Sequence, residues 1–148
     1  MARSLAPRST LGRELLALQR GLYVAMSEVA TPPDDLERLP ERLDTTAIER
    51  LDAALEAVKK GVQIDGRFVI PGETQIAAAV DHARTVVRRA ERSVIGCVDA
   101  GLVDAGQLVP WLNRASDLLF VLARAAEGAP RPSKTARKRT KKKSRAPR

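Results

Sequence analysis

A chain of 148 residues with 44% hydrophobic content is sized for one domain with a core, and scarce aromatics (Tyr23, Phe68, Trp111, Phe120) amid Ala, Leu, Val, Arg and Glu favour helices over a β-sandwich. The formal net charge of +8 is local: residues 129–148 hold 10 Lys and Arg and no acid, whereas the rest carries 16 basic against 18 acidic residues, a net −2, with no sign of a nucleic-acid-binding face. One cysteine, Cys97, excludes an internal disulfide, no run of 18 apolar residues could span a bilayer, and residues 1–10 lack a signal-peptide core, so the reading is cytoplasmic.

From Leu11 onward, Leu15, Leu18, Leu22, Met26 and Val29 recur every three or four residues and predict a first helix, with Thr10 as N-cap and an end near Thr31, before Pro32 and Pro33. Residues 32–45, with Pro40, read as a loop. Thr46 and Glu49 have capping-box spacing and open a second helix that carries Ile48, Leu51, Leu55 and Val58 on one face, Lys59 and Lys60 at its negative end, and a stop at Gly61. A connector follows over 61–72, with one short apolar run at Phe68, Val69 and Ile70.

A long third helix is predicted from about Thr74 to Asp99, packing through Ile76, Val80, Ala83, Val87, Ala90 and Val94. A fourth runs from Val109 to Glu127, with Pro110 tolerated in its first turn and Gly128 at its stop. The expected fold is all-α, an up-down bundle of four helices over residues 11–128, preceded by a short extension at 1–10. Beyond Gly128, Pro130, Pro132 and a Lys/Arg run offer too little apolar surface to offset ordering entropy, which predicts a disordered basic tail over 129–148.

Arg84, Arg88 and Arg92 lie four apart and share one edge of the third helix, where like charges disfavour one another by about 0.2–0.5 kcal/mol per pair. Such a stripe is a solvated face, or is paired in salt bridges to Asp117 and Glu91, or is a clamp for a polyphosphate, for which the planar arginine fork is suited. Asn113, Asp117 and Arg124 interrupt the Leu-rich fourth helix and serve either cross-bundle hydrogen bonding or a ligand. His82 has no partner at metal-ligand spacing, and no Walker loop, catalytic triad or dinucleotide fingerprint is present. Residue chemistry alone therefore reaches an anion-binding helical bundle.

Three segments carry a resemblance: Phe68, Val69, Ile70, Pro71 and Gly72; the run Ala-Arg-Thr-Val-Val-Arg-Arg-Ala-Glu-Arg at 83–92; and Leu-Asn-Arg-Ala-Ser-Asp-Leu-Leu-Phe at 112–120. In order and spacing they resemble the PduO-type ATP:corrinoid adenosyltransferases, as does the stretch from Leu18 through Tyr23 to Thr31. The resemblance implies a homotrimer of helical bundles that binds ATP and cob(I)alamin at subunit interfaces and transfers the 5′-deoxyadenosyl group to cobalt, releasing triphosphate, with Mg2+ as helper. It implies ATP contacts for Arg84, Arg88 and Asn113, with Arg84 also pairing to an acidic residue of the N-terminal motif, support from Glu91 and Arg92, and a place for Phe68 against the corrinoid. An adenosylcobalamin-dependent enzyme would be the recipient of the product.

The family's N-terminal Thr-Gly-Asp-Asp-Gly-like triphosphate loop and the acidic motif of its first helix have no counterpart in these residues, and Met1 to Ser9 reads like the end of that helix and its following turn. Glu73 stands where a second glycine is frequent and Asp81 where a histidine is common. The competing expectation is a non-catalytic corrinoid- or nucleotide-binding or assembly subunit. A weaker one assigns the basic tail to nucleic acid or an anionic surface.

Overall fold

The structure, a computed structural model, describes residues 1–62, 64 and 70–128. Among them the elements are α1 (Ala2–Leu5), α2 (Thr10–Ala30), a 3-10 helix (Pro33–Arg38), α3 (Thr45–Lys59), α4 (Gln75–Asp99) and α5 (Leu108–Glu127), with no strand. The four long helices match those predicted. The single turn of α1 lies within Met1 to Ser9, the stretch that reads like a helix end and its following turn. The addition is the 3-10 helix, which forms inside the expected loop because Pro32 and Pro33 pre-set its entry while Asp34 and Asp35 occupy its first turn. Phe68 and Val69 of the short apolar run and the tail at 129–148 lie outside the described residues, while Ile70, which ends that run, is exposed.

Local caps set the starts of the helices, and two differ from the expected ones. Ser9, not Thr10, caps α2, its Oγ accepting from the Gly12 amide at 3.0 Å. Asp44, not Thr46, caps α3 by accepting from Ala47 at 2.8 Å; a carboxylate also suits the positive helix end, so the capping box is not used. Thr74 caps α4 through Ala77 at 3.1 Å, and Gly128 closes α5 at φ 75°, a conformation open to glycine.

The core is organised on α5, which packs against α2, α3 and α4, while α1 rests on α2 and α4. Leu108, Leu118 and Leu122 are fully buried, and each such side chain contributes roughly 1.5–3 kcal/mol by leaving water. Trp111 reaches α2 where that helix has Gly21: a Cβ there would stand 2.2 Å from the indole, so glycine sets the helix separation.

The predicted apolar faces hold in the first half of α2 and shift in its second. Leu15 and Leu18 are buried, but Met26 is 68% exposed, whereas Val24, Ala25 and Glu28 turn inward. Glu28 is drawn in by the returning chain, since its carboxylate accepts the otherwise unpaired amide of Leu43. A similar exchange occurs on α4, where Glu91 is buried and Ala90 exposed.

Candidate functional site

Of the predicted site residues, Arg84, Glu91 and Asn113 meet the seam between α4 and α5, Arg88 and Arg92 stand on α4, and Phe68 lies outside the described residues. The two helices run antiparallel, so residues rising along one meet residues falling along the other: Glu91 pairs with Asn113, Arg84 with Phe120 and Asp81 with Arg124. Midway along the seam, Asn113 Nδ2 donates to Glu91 Oε1 at 2.8 Å, and Glu91 is only 8% exposed. That bond fixes the amide by its nitrogen and satisfies a carboxylate that burial would otherwise penalise.

Arg84 and Arg88 are half-buried on α4, and neither makes an ion pair with a carboxylate among the described residues. The salt-bridge reading of the stripe is corrected here: Glu91 is occupied by Asn113, while Asp117 faces Arg114 at 3.5 Å and Arg114 reaches across to Asp52 of α3 at 2.7 Å. Arg92 is exposed and donates to the Arg88 carbonyl at 3.1 Å, back onto its own helix. Arg84 lies over the ring of Phe120, 5.2 Å from its centroid, and its Nε is buried without a partner. Cations left without carboxylates beside an apolar ring suit a partly dehydrated anion.

At the end of the seam a cluster forms that sequence reasoning did not assemble. Arg124, 3% exposed, bonds Asp81 at 2.5 Å and Glu127 at 3.1 Å and covers the other approach to Phe120 at 5.5 Å. Glu127 also accepts the Gly72 amide at 3.1 Å, and Thr74 Oγ1 donates to the Ala126 carbonyl at 3.2 Å, so the start of α4 is tied to the last turn of α5. Burial pushes the Asp81 carboxyl above its ordinary range, opposed but not offset by the Arg124 guanidinium. The spacing of Arg124 and Glu127 was visible in the sequence; their link to Asp81, 43 residues away, was not.

A largely apolar cleft of about 700 Å³ opens beside the stripe, between α1, α2, α4 and α5, lined by Leu15, Leu22, His82, Ala83, Val87 and Leu119 among others. His82 is an exposed wall residue there, and no group of three or more His, Cys, Asp or Glu side chains converges to hold a metal among the described residues. No helix among the described residues is long and apolar enough to cross a membrane. The arrangement thus places unneutralised guanidinium groups, a held amide and an apolar cleft along one helix pair.

Known proteins share this architecture. The cobalamin adenosyltransferase family model matches residues 1–126. A corrinoid adenosyltransferase of Mycobacterium tuberculosis is 37% identical over 122 residues, covering 81% of this chain and 63% of the relative, so the chain spans under two thirds of that relative's length. One from Citrobacter freundii is 32% identical over 123 residues, covering 83% and 69%. Among solved structures, a phenylalanine-to-alanine variant of the PduO-type ATP:corrinoid adenosyltransferase from Lactobacillus reuteri, complexed with cobalamin and ATP, superposes with a TM-score of 0.80 at 26% identity, covering 90% of this chain and 76% of that one. With most of its length matched by the family model and its helices superposing on a solved member, this chain belongs to the cobalamin adenosyltransferase family.

Proposed function

We propose that this protein transfers the 5′-deoxyadenosyl group of ATP to cob(I)alamin or a related corrinoid, releasing triphosphate. The observation that carries the reading is the pair Arg84 and Arg88, half-buried and without carboxylate partners among the described residues, in a chain of this family. In the reaction the electron pair of the reduced corrinoid cobalt forms a bond to C5′, the C5′–O bond breaks, and triphosphate leaves with the bonding electrons. No general base is required, and the task of the protein is to align the reactants and to absorb the growing negative charge.

Arg84 and Arg88 take the polyphosphate, Asn113 held by Glu91 takes the nucleotide, Arg92 supports the same edge, and Phe68 faces the corrinoid. Mg2+ assists as a companion of the phosphates, bound through phosphate oxygens and water. We place the enzyme in the cytoplasm as a homotrimer that supplies an adenosylcobalamin-dependent enzyme, with residues 11–128 as the working domain. Residues 129–148 add a basic tail able to meet an anionic surface.

The test mixes the chain with ATP and chemically reduced cobalamin and follows adenosylcobalamin by absorbance and triphosphate by chromatography. Both products are expected, and Arg88→Ala should lower kcat/KM on the order of 10²-fold, the scale of one lost charge-stabilising donor. Binding of both substrates with no transfer would replace this reading with the non-catalytic one. Absence of binding as well would overturn both.

A further inference from the structure

Glu127 stands in the last turn of α5, the negative end of a helix, where a cation is favoured and a carboxylate is not. Its side chain is nonetheless only 1% exposed. Neutralising Arg124 does not require it, because the same guanidinium nitrogen already bonds Asp81 at 2.5 Å. What Glu127 adds is a bond from the Gly72 amide at 3.1 Å, 55 residues back along the chain. Arg124 and Gly72 both donate to Oε1, and Oε2 is buried without a partner. Beside them Thr74 donates to the Ala126 carbonyl at 3.2 Å, so residues 72–74 are held against the end of α5.

The anchored glycine ends the connector. Gly72 turns the chain at φ 99°, a conformation that other residues rarely adopt, while Pro71 has its own φ fixed and biases Ile70 towards extended backbone. The direction set at Gly72 is therefore passed back along the connector towards Phe68, four residues earlier in the sequence. We propose that Glu127 is a positioning residue for the corrinoid: by holding Gly72 to α5 it sets where the connector delivers Phe68, and so governs corrinoid affinity while leaving ATP affinity unchanged. This inference rests on the reading that Phe68 faces the corrinoid.

The test measures KM for each substrate in the adenosylation assay for the wild type, Glu127→Ala, Glu127→Gln, Phe68→Ala and the double variant F68A/E127A, with folding checked by circular dichroism. Glu127→Ala should raise KM for the corrinoid about tenfold, the scale of one hydrogen bond to a charged group, and change KM for ATP by less than about twofold. Glu127→Gln keeps an oxygen where Oε1 stands and puts its nitrogen where Oε2 has no partner, so it should recover most of the loss. Against the Phe68→Ala background the effect of Glu127→Ala should vanish, since the anchor acts through that ring. Independently of activity, the Gly72 amide should exchange its hydrogen about tenfold faster in Glu127→Ala, and near the wild-type rate in Glu127→Gln.

An equal rise in both KM values, or additive losses in the double variant, would show Glu127 to be merely structural and overturn the inference; so would unchanged exchange at Gly72. Should Glu127→Ala not fold, Glu127→Leu, which refills the space without an acceptor, carries the same expectations. If the wild type makes no adenosylcobalamin, the proposed activity falls, and the same variants compared by their cobalamin dissociation constants then decide the inference separately. If Phe68→Ala leaves corrinoid affinity unchanged, the place given to Phe68 is wrong and the inference falls with it.

Discussion

Helices α4 and α5 lie side by side yet are built for opposite purposes. Of the 20 residues of α5, 11 are buried, including polar Ser116 and Arg124; of the 25 residues of α4, only 5 are. A helix surrounded on most sides has its register set by packing, whereas one buried on a single stripe leaves the rest of its surface for other work. The arginines follow the same division. Arg124, on the scaffold helix, is consumed by carboxylates, while Arg84 and Arg88, on the presenting helix, have none among the described residues. The lesson is that arginine count says little about anion binding until the partners of each arginine are known.

The sharpest way to break this contrast is to truncate one residue on each helix. Leu122→Ala on α5, at a position 1% exposed, should cost about 2–5 kcal/mol of stability in urea unfolding. A large change should also follow Gly21→Ala, because the new methyl meets the Trp111 ring at 2.2 Å; a loss of about 1–3 kcal/mol is expected, and a neutral result would show that the contact of α2 with α5 is loose.

On the presenting helix, Val86→Ala, at a position 40% exposed, should stay within about 0.5 kcal/mol of the wild type in the same assay. A loss comparable to that of Leu122→Ala would mean that the outer face of α4 is covered in solution. The smallest effect concerns pH. Because the Asp81 carboxyl is raised above its ordinary range, its contribution to stability is fullest below the ordinary carboxylate value and declines as pH rises through the raised one. Urea unfolding between pH 3.5 and 6, a window set around ordinary carboxylate values, should show this downward component in the wild type and not in Asp81→Asn.

Much of the architecture was legible in the sequence because helix periodicity and stop signals are local. The stripe of Arg84 and Arg88 and the end of α5 at Gly128 are read from residues a few places apart. The caps were misread by one or two positions for a related reason: Ser9 and Thr10, like Asp44 and Thr46, are all competent caps, and the choice depends on where the chain arrives. The apolar face of α2 was misjudged at Met26 because nothing local announces that Leu43 will need Glu28.

What the sequence by itself determined is the set of four long helices, the arginine edge, the basic tail and, through three motifs in order, the family to which the chain is similar. Only the tertiary structure decided which charges cancel. Asp81 could pair along its own helix with Arg84 or across the seam with Arg124, and antiparallel packing of α4 on α5 selected the second by bringing residues 43 apart to 2.5 Å. Pairing energy depends on distance and burial, and both are set by the register of two packed helices rather than by spacing along one.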